Sequence, residues 1–310
     1  DIDLLILLER SNYDLHRENI QSFVTLLWDI GLEVGHSVRS LKECRRQARA
    51  DVTVLTALME ARAIAGDVEL SCRILRQIAP HKIWSPKQFY KAKSEEQKVR
   101  HKKFNHTEYS LEPNIKNSPG GLRDIQTLLW IAKRIFGTHT VEELVEKQVL
   151  TEDEGATLIQ GRDLLWKIRF GLHLVAQKED DRLSFEHQQT LSIIFGYEDS
   201  EQLAVEQFMQ DYYRTALEMN YINGLLLRNF EELTVKKTPK ITPINTRFQL
   251  RNDFLEVTQN TVFLDTPSAL IELFVILGNR EDIHGVNSAT IRLIRKHASL
   301  IDEDLSLIHI

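Results

Sequence analysis

Residues 1–8 read DIDLLILL and residues 28–39 read WDIGLEVGHSVR; how these two stretches pair decides the fold. The first is a short apolar β-run with acidic residues at its front. Residues 12–27 then show helical periodicity, with Ile20, Phe23, Val24 and Leu27 on one stripe. Gly31 breaks that helix, and residues 32–38 read as a second strand. Ser40, with Glu43 three residues on, predicts a capping box that opens the next helix. Residues 51–65 form a strong helical pattern stopped by Gly66. The first 70 or so residues are therefore α/β.

Beyond residue 67 the pattern is nearly all helical, with helices expected at 68–78, 86–103, 121–136, 140–148, 151–177, 187–195 and 199–229. A polar loop, 106–121, interrupts them and carries Pro113, Pro119 and the Gly120-Gly121 pair. Residues 236–243 read as a linker, 246–264 as one or two strands, and 267–277 and 288–300 as helices. The overall class is α+β, with a mixed front part and a mostly helical domain behind it.

Composition narrows the function. The chain has 310 residues, 42% hydrophobic and 27% charged, with 13 Gly and 7 Pro, as expected of a globular protein rich in helix. A net charge of −6 argues against a dedicated nucleic-acid binder, which is usually basic. Cys44 and Cys72 make neither a disulfide framework nor a metal-ligand spacing. No apolar run reaches the roughly 18 residues that cross a bilayer, and no basic stretch followed by a small-residue cleavage site is seen. The chain reads as cytoplasmic, with no membrane partner. It lacks an initiator Met, and residues 305–310 (LSLIHI) follow a charged segment abruptly. The expectation is a chain truncated at its N-terminus, with a non-native tail at 305–310.

Asp1-Ile2-Asp3 is the sharpest local signal. On a strand, residues i and i+2 share a face, so the two carboxylates project together. Such a pair calls for a cation, and Mg²⁺ is commonly held by one or two carboxylates plus substrate phosphates. Taken alone, Asp-x-Asp is more simply two solvated acids at a strand start. Glu33 shifts the weighing, because mid-strand in Leu32-Glu33-Val34 an unpaired charge is costly. If the strands are neighbours, Asp1, Asp3 and Glu33 form a three-carboxylate metal cluster suited to nucleotidyl transfer; Asp29 and Asp51 are substitutes for Glu33. Gly35 and Ser37 allow close approach of a ligand, and His36 and Arg39 can donate to phosphate oxygens. The plain alternative makes His36 a core residue and Arg39 a surface charge.

Residues 109–126, YSLEPNIKNSPGGLRDIQ, are the most specific feature. Pro119-Gly120-Gly121 makes a tight turn into a helix whose first-turn N–H groups lack intrahelical partners. With Lys116 and Arg123 alongside, that N-terminus can receive an anion. Asp124 can equally satisfy those amides, and a purely structural turn remains the alternative. On the preceding helix Phe89, Lys93, Gln97, Arg100 and Phe104 share one face. Lys93 and Arg100 would point to a triphosphate, or the face is simply solvated. Phe170, Leu174, Phe208, Tyr212, Leu217 and Tyr221 recur at helical spacing and read as core.

The alternation of Asp1 and Asp3 with apolar residues, followed by apolar-Glu33-apolar, resembles the polymerase-β-type nucleotidyltransferases. LEPNIKNSPGGLRDIQTLLWIAKR (111–134), with WDIGLEVGHSVR and DVTVLTALMEARAIAGD (51–67), resembles the bacterial bifunctional PII uridylyltransferase/uridylyl-removing family, in order and over nearly the whole chain. The resemblance implies a C-terminal half of a nucleotidyltransferase domain at 1–70 and a helical uridylyltransferase-associated domain at 71–235. It further implies a linker and the start of a His-Asp phosphohydrolase region at 236–304. The implied reaction is Mg²⁺-dependent transfer of UMP from UTP to a tyrosine of PII, releasing diphosphate. Asp1, Asp3 and Glu33 would hold the metal. His36, Ser37, Arg39, Lys93, Arg100, Lys116, Gly120, Gly121 and Arg123 would bind the nucleotide. Uridylyl removal and glutamine sensing would belong to absent domains, and the fragment itself is expected to be inactive. The rivals are a glutamine synthetase adenylyltransferase, a signalling protein with cyclic-nucleotide-binding and CBS domains, and a non-catalytic module that kept the fold.

Overall fold

A computed structural model describes residues 2–10, 12–234 and 240–301. The expectations for Asp1 and for residues 305–310 lie outside the described residues. The chain divides into two compact units, Asp1–Lys93 and Ser94–Ile310, and the division falls inside one helix.

In the first unit, β1 (Ile2–Leu8) lies parallel to β2 (Val34–Ser40), and α1 (Tyr13–Asp29) makes the crossover. The register pairs Ile2 with Val34, Asp3 with Gly35 and Leu4 with His36. Ser40 then opens α2 (Leu41–Ala50) with the expected capping box: its hydroxyl accepts from the Glu43 amide, and the Glu43 carboxylate accepts from the Ser40 amide at 2.8 Å. The Asp51 carboxylate caps α3 (Val52–Glu60), accepting from the Thr53 amide at 2.7 Å. That helix ends at Glu60, short of the stop expected at Gly66. α4 (Val68–Gln77) packs on α2, and the unit closes with the first half of α5 (Pro86–Lys102). Cys44, Ala48 and Leu55 are fully enclosed. Trp84 ties the segment before α5 down by donating to the Ala48 carbonyl at 2.8 Å.

The second unit is built around α10 (Ala204–Thr234), which packs against α6 (Leu122–Phe136), α8 (Glu152–Ala176) and α9 (Phe185–Ile194). α7 (Val141–Glu146) lies on α8. The stripe that meets the neighbours of α10 includes Phe208, Tyr212, Ala216, Met219, Leu226 and Phe230, all buried. Three residues expected in that core lie outside it: Phe170 is 68% exposed and Leu174 63%, both on α8, and Leu217 of α10 is 36% exposed. α8 turns Leu165, Ile168 and Leu172 inward, so residues two positions from these fall on the opposite side of a 3.6-residue turn.

A small sheet follows, in the order β3 (Ile241–Pro243), β4 (Phe248–Arg251), β5 (Phe254–Val257), β6 (Gly285–Val286), antiparallel except between β5 and β6. Short helices α11 (Val262–Asp265), α12 (Ala269–Gly278) and α13 (Ser288–His297) cover a core of Phe248, Leu255, Phe263 and Leu270. α13 is bolted to the bundle at two points. Glu232 of α10 accepts from the Ser288 amide at 2.7 Å and from its hydroxyl at 2.9 Å. Arg292 reaches Glu154 at the start of α8 and the Val149 carbonyl, each at 2.8 Å. No described helix is long and apolar enough to cross a membrane.

Candidate functional site

On the β1–β2 pair, alternation assigns the chemistry to faces. Asp3 and its partner Gly35 share one face with Ser37 and Arg39. A Cβ on residue 35 would stand 3.0 Å from Asp3 Oδ1, so the glycine leaves the flank of that carboxylate open. His36 lies on the other face. Its ring meets Trp28 of α1 edge-on at 5.8 Å between centroids, which separates it from Ser37 and Arg39 instead of grouping the three around one phosphate.

Glu33 is not mid-strand. It precedes β2, is exposed, and its carbonyl accepts from the Ile2 amide at 3.2 Å. The desolvation argument for it therefore falls. Asp51 is occupied as the α3 cap. No three His, Cys, Asp or Glu side chains gather among the described residues.

The Gly120-Gly121 turn proves to be a packing element. Gly120 has φ +75°, and a Cβ there would lie 2.1 Å from the Ala216 carbonyl oxygen on α10. A Cβ on Gly121 would lie 2.8 Å from the Ile115 oxygen. Both residues are buried. The first amides of α6 are already spent: Leu122 donates to Ile115 at 3.1 Å, Arg123 to Lys116 at 2.8 Å and Asp124 to Gly121 at 3.0 Å. The anion cradle expected at Gly120 and Gly121 is thus filled by the chain's own carbonyls. Lys116 lies 3.8 Å from Asp181, which also pairs with Arg169 at 2.6 Å. Arg123 stacks over Trp130 at 5.6 Å.

The polar run before the turn is used in the same way. Asn114 Oδ1 accepts from the Asn117 amide at 2.7 Å, Ser118 Oγ accepts from the Asn114 amide at 3.0 Å, and Glu112 accepts from the Phe185 amide at 3.1 Å. This loop walls a groove of about 510 Å³ with Phe104, Leu111 and Phe185.

The residue that organises this region is Asp124, fully enclosed on the first turn of α6. Its carboxylate accepts from the Gly120 amide at 2.8 Å, from Arg100 Nη2 at 2.5 Å, and lies 2.9 Å from His101 Nε2. Sequence reading offered Asp124 only as a helix-end partner; the Arg100-His101 pair in the last turn of α5 was the signal for more. The α5 face is not solvated. Phe89, Lys93 and Gln97 are 0%, 1% and 5% exposed. Burial pulls the Arg100 guanidinium below its usual pKa, against the opposing pull of Asp124.

Together these features define a βαβ unit with an open acidic strand edge, followed by a helical bundle and a small β-domain. Residues 88–227 match the family model described as GlnD PII-uridylyltransferase, and residues 248–307 match the one described as uridylyltransferase GlnD third domain. The chain belongs to this PII-uridylyltransferase family. It is 49% identical over 306 residues to a protein of Stutzerimonas stutzeri named bifunctional uridylyltransferase/uridylyl-removing enzyme. Proteins of the same name from Pseudomonas aeruginosa and Azotobacter vinelandii are 48% and 50% identical. Each alignment takes in 98% of this chain and 34% of the relative, so the chain spans about a third of the length of these relatives.

Proposed function

We propose that this chain is part of a cytoplasmic, Mg²⁺-dependent nucleotidyltransferase that moves UMP from UTP to a tyrosine of the PII protein and releases diphosphate. Family membership across both matched regions carries the reading. The open Asp3 carboxylate on a strand edge supports a polymerase-β-type front domain. In the reaction the tyrosine oxygen forms a bond to the α-phosphorus, the bond to the diphosphate oxygen breaks, and the hydroxyl proton passes to a nearby base or water.

The residues fit a hard divalent cation. Asp3 offers oxygen ligands beside the space that Gly35 leaves open, and one or two carboxylates with substrate phosphates suffice for Mg²⁺. Asp3, Glu33 and Asp1 would hold it, and when bound it shields phosphate charge and favours the ionised hydroxyl. Ser37 and Arg39, on the Asp3 face, are placed to steady the nucleotide. Arg100, Lys116 and Arg123 are the candidate phosphate-binding cations of the second unit. Uridylyl removal and the response to glutamine are assigned to parts of the longer protein outside residues 1–310.

The test is made on the complete gene product, with Mg²⁺, labelled UTP or ATP, and either PII or glutamine synthetase. Labelled UMP on PII that is lost in Asp3→Asn is the expected result. AMP on glutamine synthetase would move the protein to the adenylyltransferase class, and no transfer at all would leave a binding scaffold.

A further inference from the structure

Four polar atoms on α5 are enclosed without a hydrogen-bond partner: Ser94 Oγ, Gln97 Oε1, and Arg100 Nε and Nη1. They recur at three-residue spacing and so extend about 9 Å along the helix axis. Buried polar groups in folded proteins nearly always find a partner, and several unmet together point to an occupant. One buried water typically satisfies two to four groups gathered around it, which two helical turns exceed.

The chemistry of the four atoms indicates what the occupant is. Arg100 contributes two guanidinium nitrogens, a planar donor set that matches phosphate oxygens. The Ser94 hydroxyl donates freely, and the Gln97 amide does so once turned over, since its oxygen and nitrogen are interchangeable by rotation. The guanidinium is meanwhile gripped at its remaining corner. Asp124 takes Nη2 at 2.5 Å, while its other bonds run to His101 and to the Gly120 amide of the packed turn. A fully enclosed carboxylate with three donors has no freedom to swing, so it fixes the orientation of Arg100.

We propose that Arg100, with Ser94 and Gln97, forms a cradle for phosphate oxygens of the nucleotide, and that Asp124 and His101 are positioning residues that hold Arg100 in place. This rests on the nucleotidyl-transfer reading above. It gives the specific PGGLRD segment a role: the turn anchors Asp124, and Asp124 aims Arg100.

Arg100→Lys in the complete gene product keeps a cation beside Asp124 and removes the planar donor set. The expected result is a KM for the nucleotide raised about tenfold or more, with the KM for the protein acceptor and the melting temperature unchanged. Asp124→Asn, which keeps an acceptor for the Gly120 amide, should raise the same KM. A nucleotide KM within about twofold of the parent's in Arg100→Lys, where the lost donor set should cost far more, overturns the proposal and leaves a water-filled knot. If the parent transfers no nucleotide, the reading of the reaction fails by itself. Calorimetric binding of pyrophosphate then decides the cradle: binding weakened about tenfold by Arg100→Lys upholds it, and equal binding or none by the parent overturns it.

Discussion

Gly35 and Gly120 look alike in the sequence. Each sits among small and basic residues where a phosphate could approach the backbone. In the fold they do opposite things. Gly35 has an ordinary strand conformation and leaves space beside the Asp3 carboxylate, which stands open. Gly120 has φ +75° and is pressed against the backbone of α10, with no space left over. One glycine makes an opening and the other closes a gap. A missing side chain reports only that something comes near; whether that is ligand or protein depends on the element packed opposite.

Gly120→Ala tests the closed case and should have the largest effect. The strained φ and the clash with Ala216 together should cost about 3 kcal/mol or more, read as a shift in the urea midpoint at unchanged slope. A loss below about 1 kcal/mol, the range of an ordinary tolerated swap, would mean the turn has room after all. His36→Ala probes the reverse face of β2. Losing the edge contact with Trp28 should cost about 1 kcal/mol while the KM for UTP stays put, whereas a raised KM would return His36 to the nucleotide. Gly35→Ala should change stability least, within about 0.5 kcal/mol. Its transfer rate should nonetheless fall about tenfold to a hundredfold, because the new methyl displaces Asp3. An unchanged rate would break the contrast between the two glycines.

The elements themselves were legible because their signals are local. The Ser40–Glu43 capping box forms as the spacing requires, and the strand at 2–8 and the helices at 121–136 and 151–177 appear within one or two residues. What lies across from an element was not legible. Periodicity grouped Phe89, Lys93, Gln97 and Arg100 on one face, yet it could not say that the face is covered. It also placed Phe170 and Leu174 in a core that α8 turns away from. Asp3 could be singled out as a candidate because strand alternation is a two-residue rule. The Asp124 knot joins α5 to α6 across the nineteen residues of loop and turn at 103–121, and no local pattern announces such a meeting. Nor could spacing reveal that the first amides of α6 were already claimed by the carbonyls of Ile115 and Lys116.

The two attachments of α13 have a mechanical consequence. Glu232 fastens its start to the end of the longest helix, and Arg292 fastens its middle to the start of the second longest. Two separated fixings remove the swivel that a single pin would allow. α13 therefore cannot swivel against the bundle without breaking one of them, and a torque on it is delivered to both long helices together.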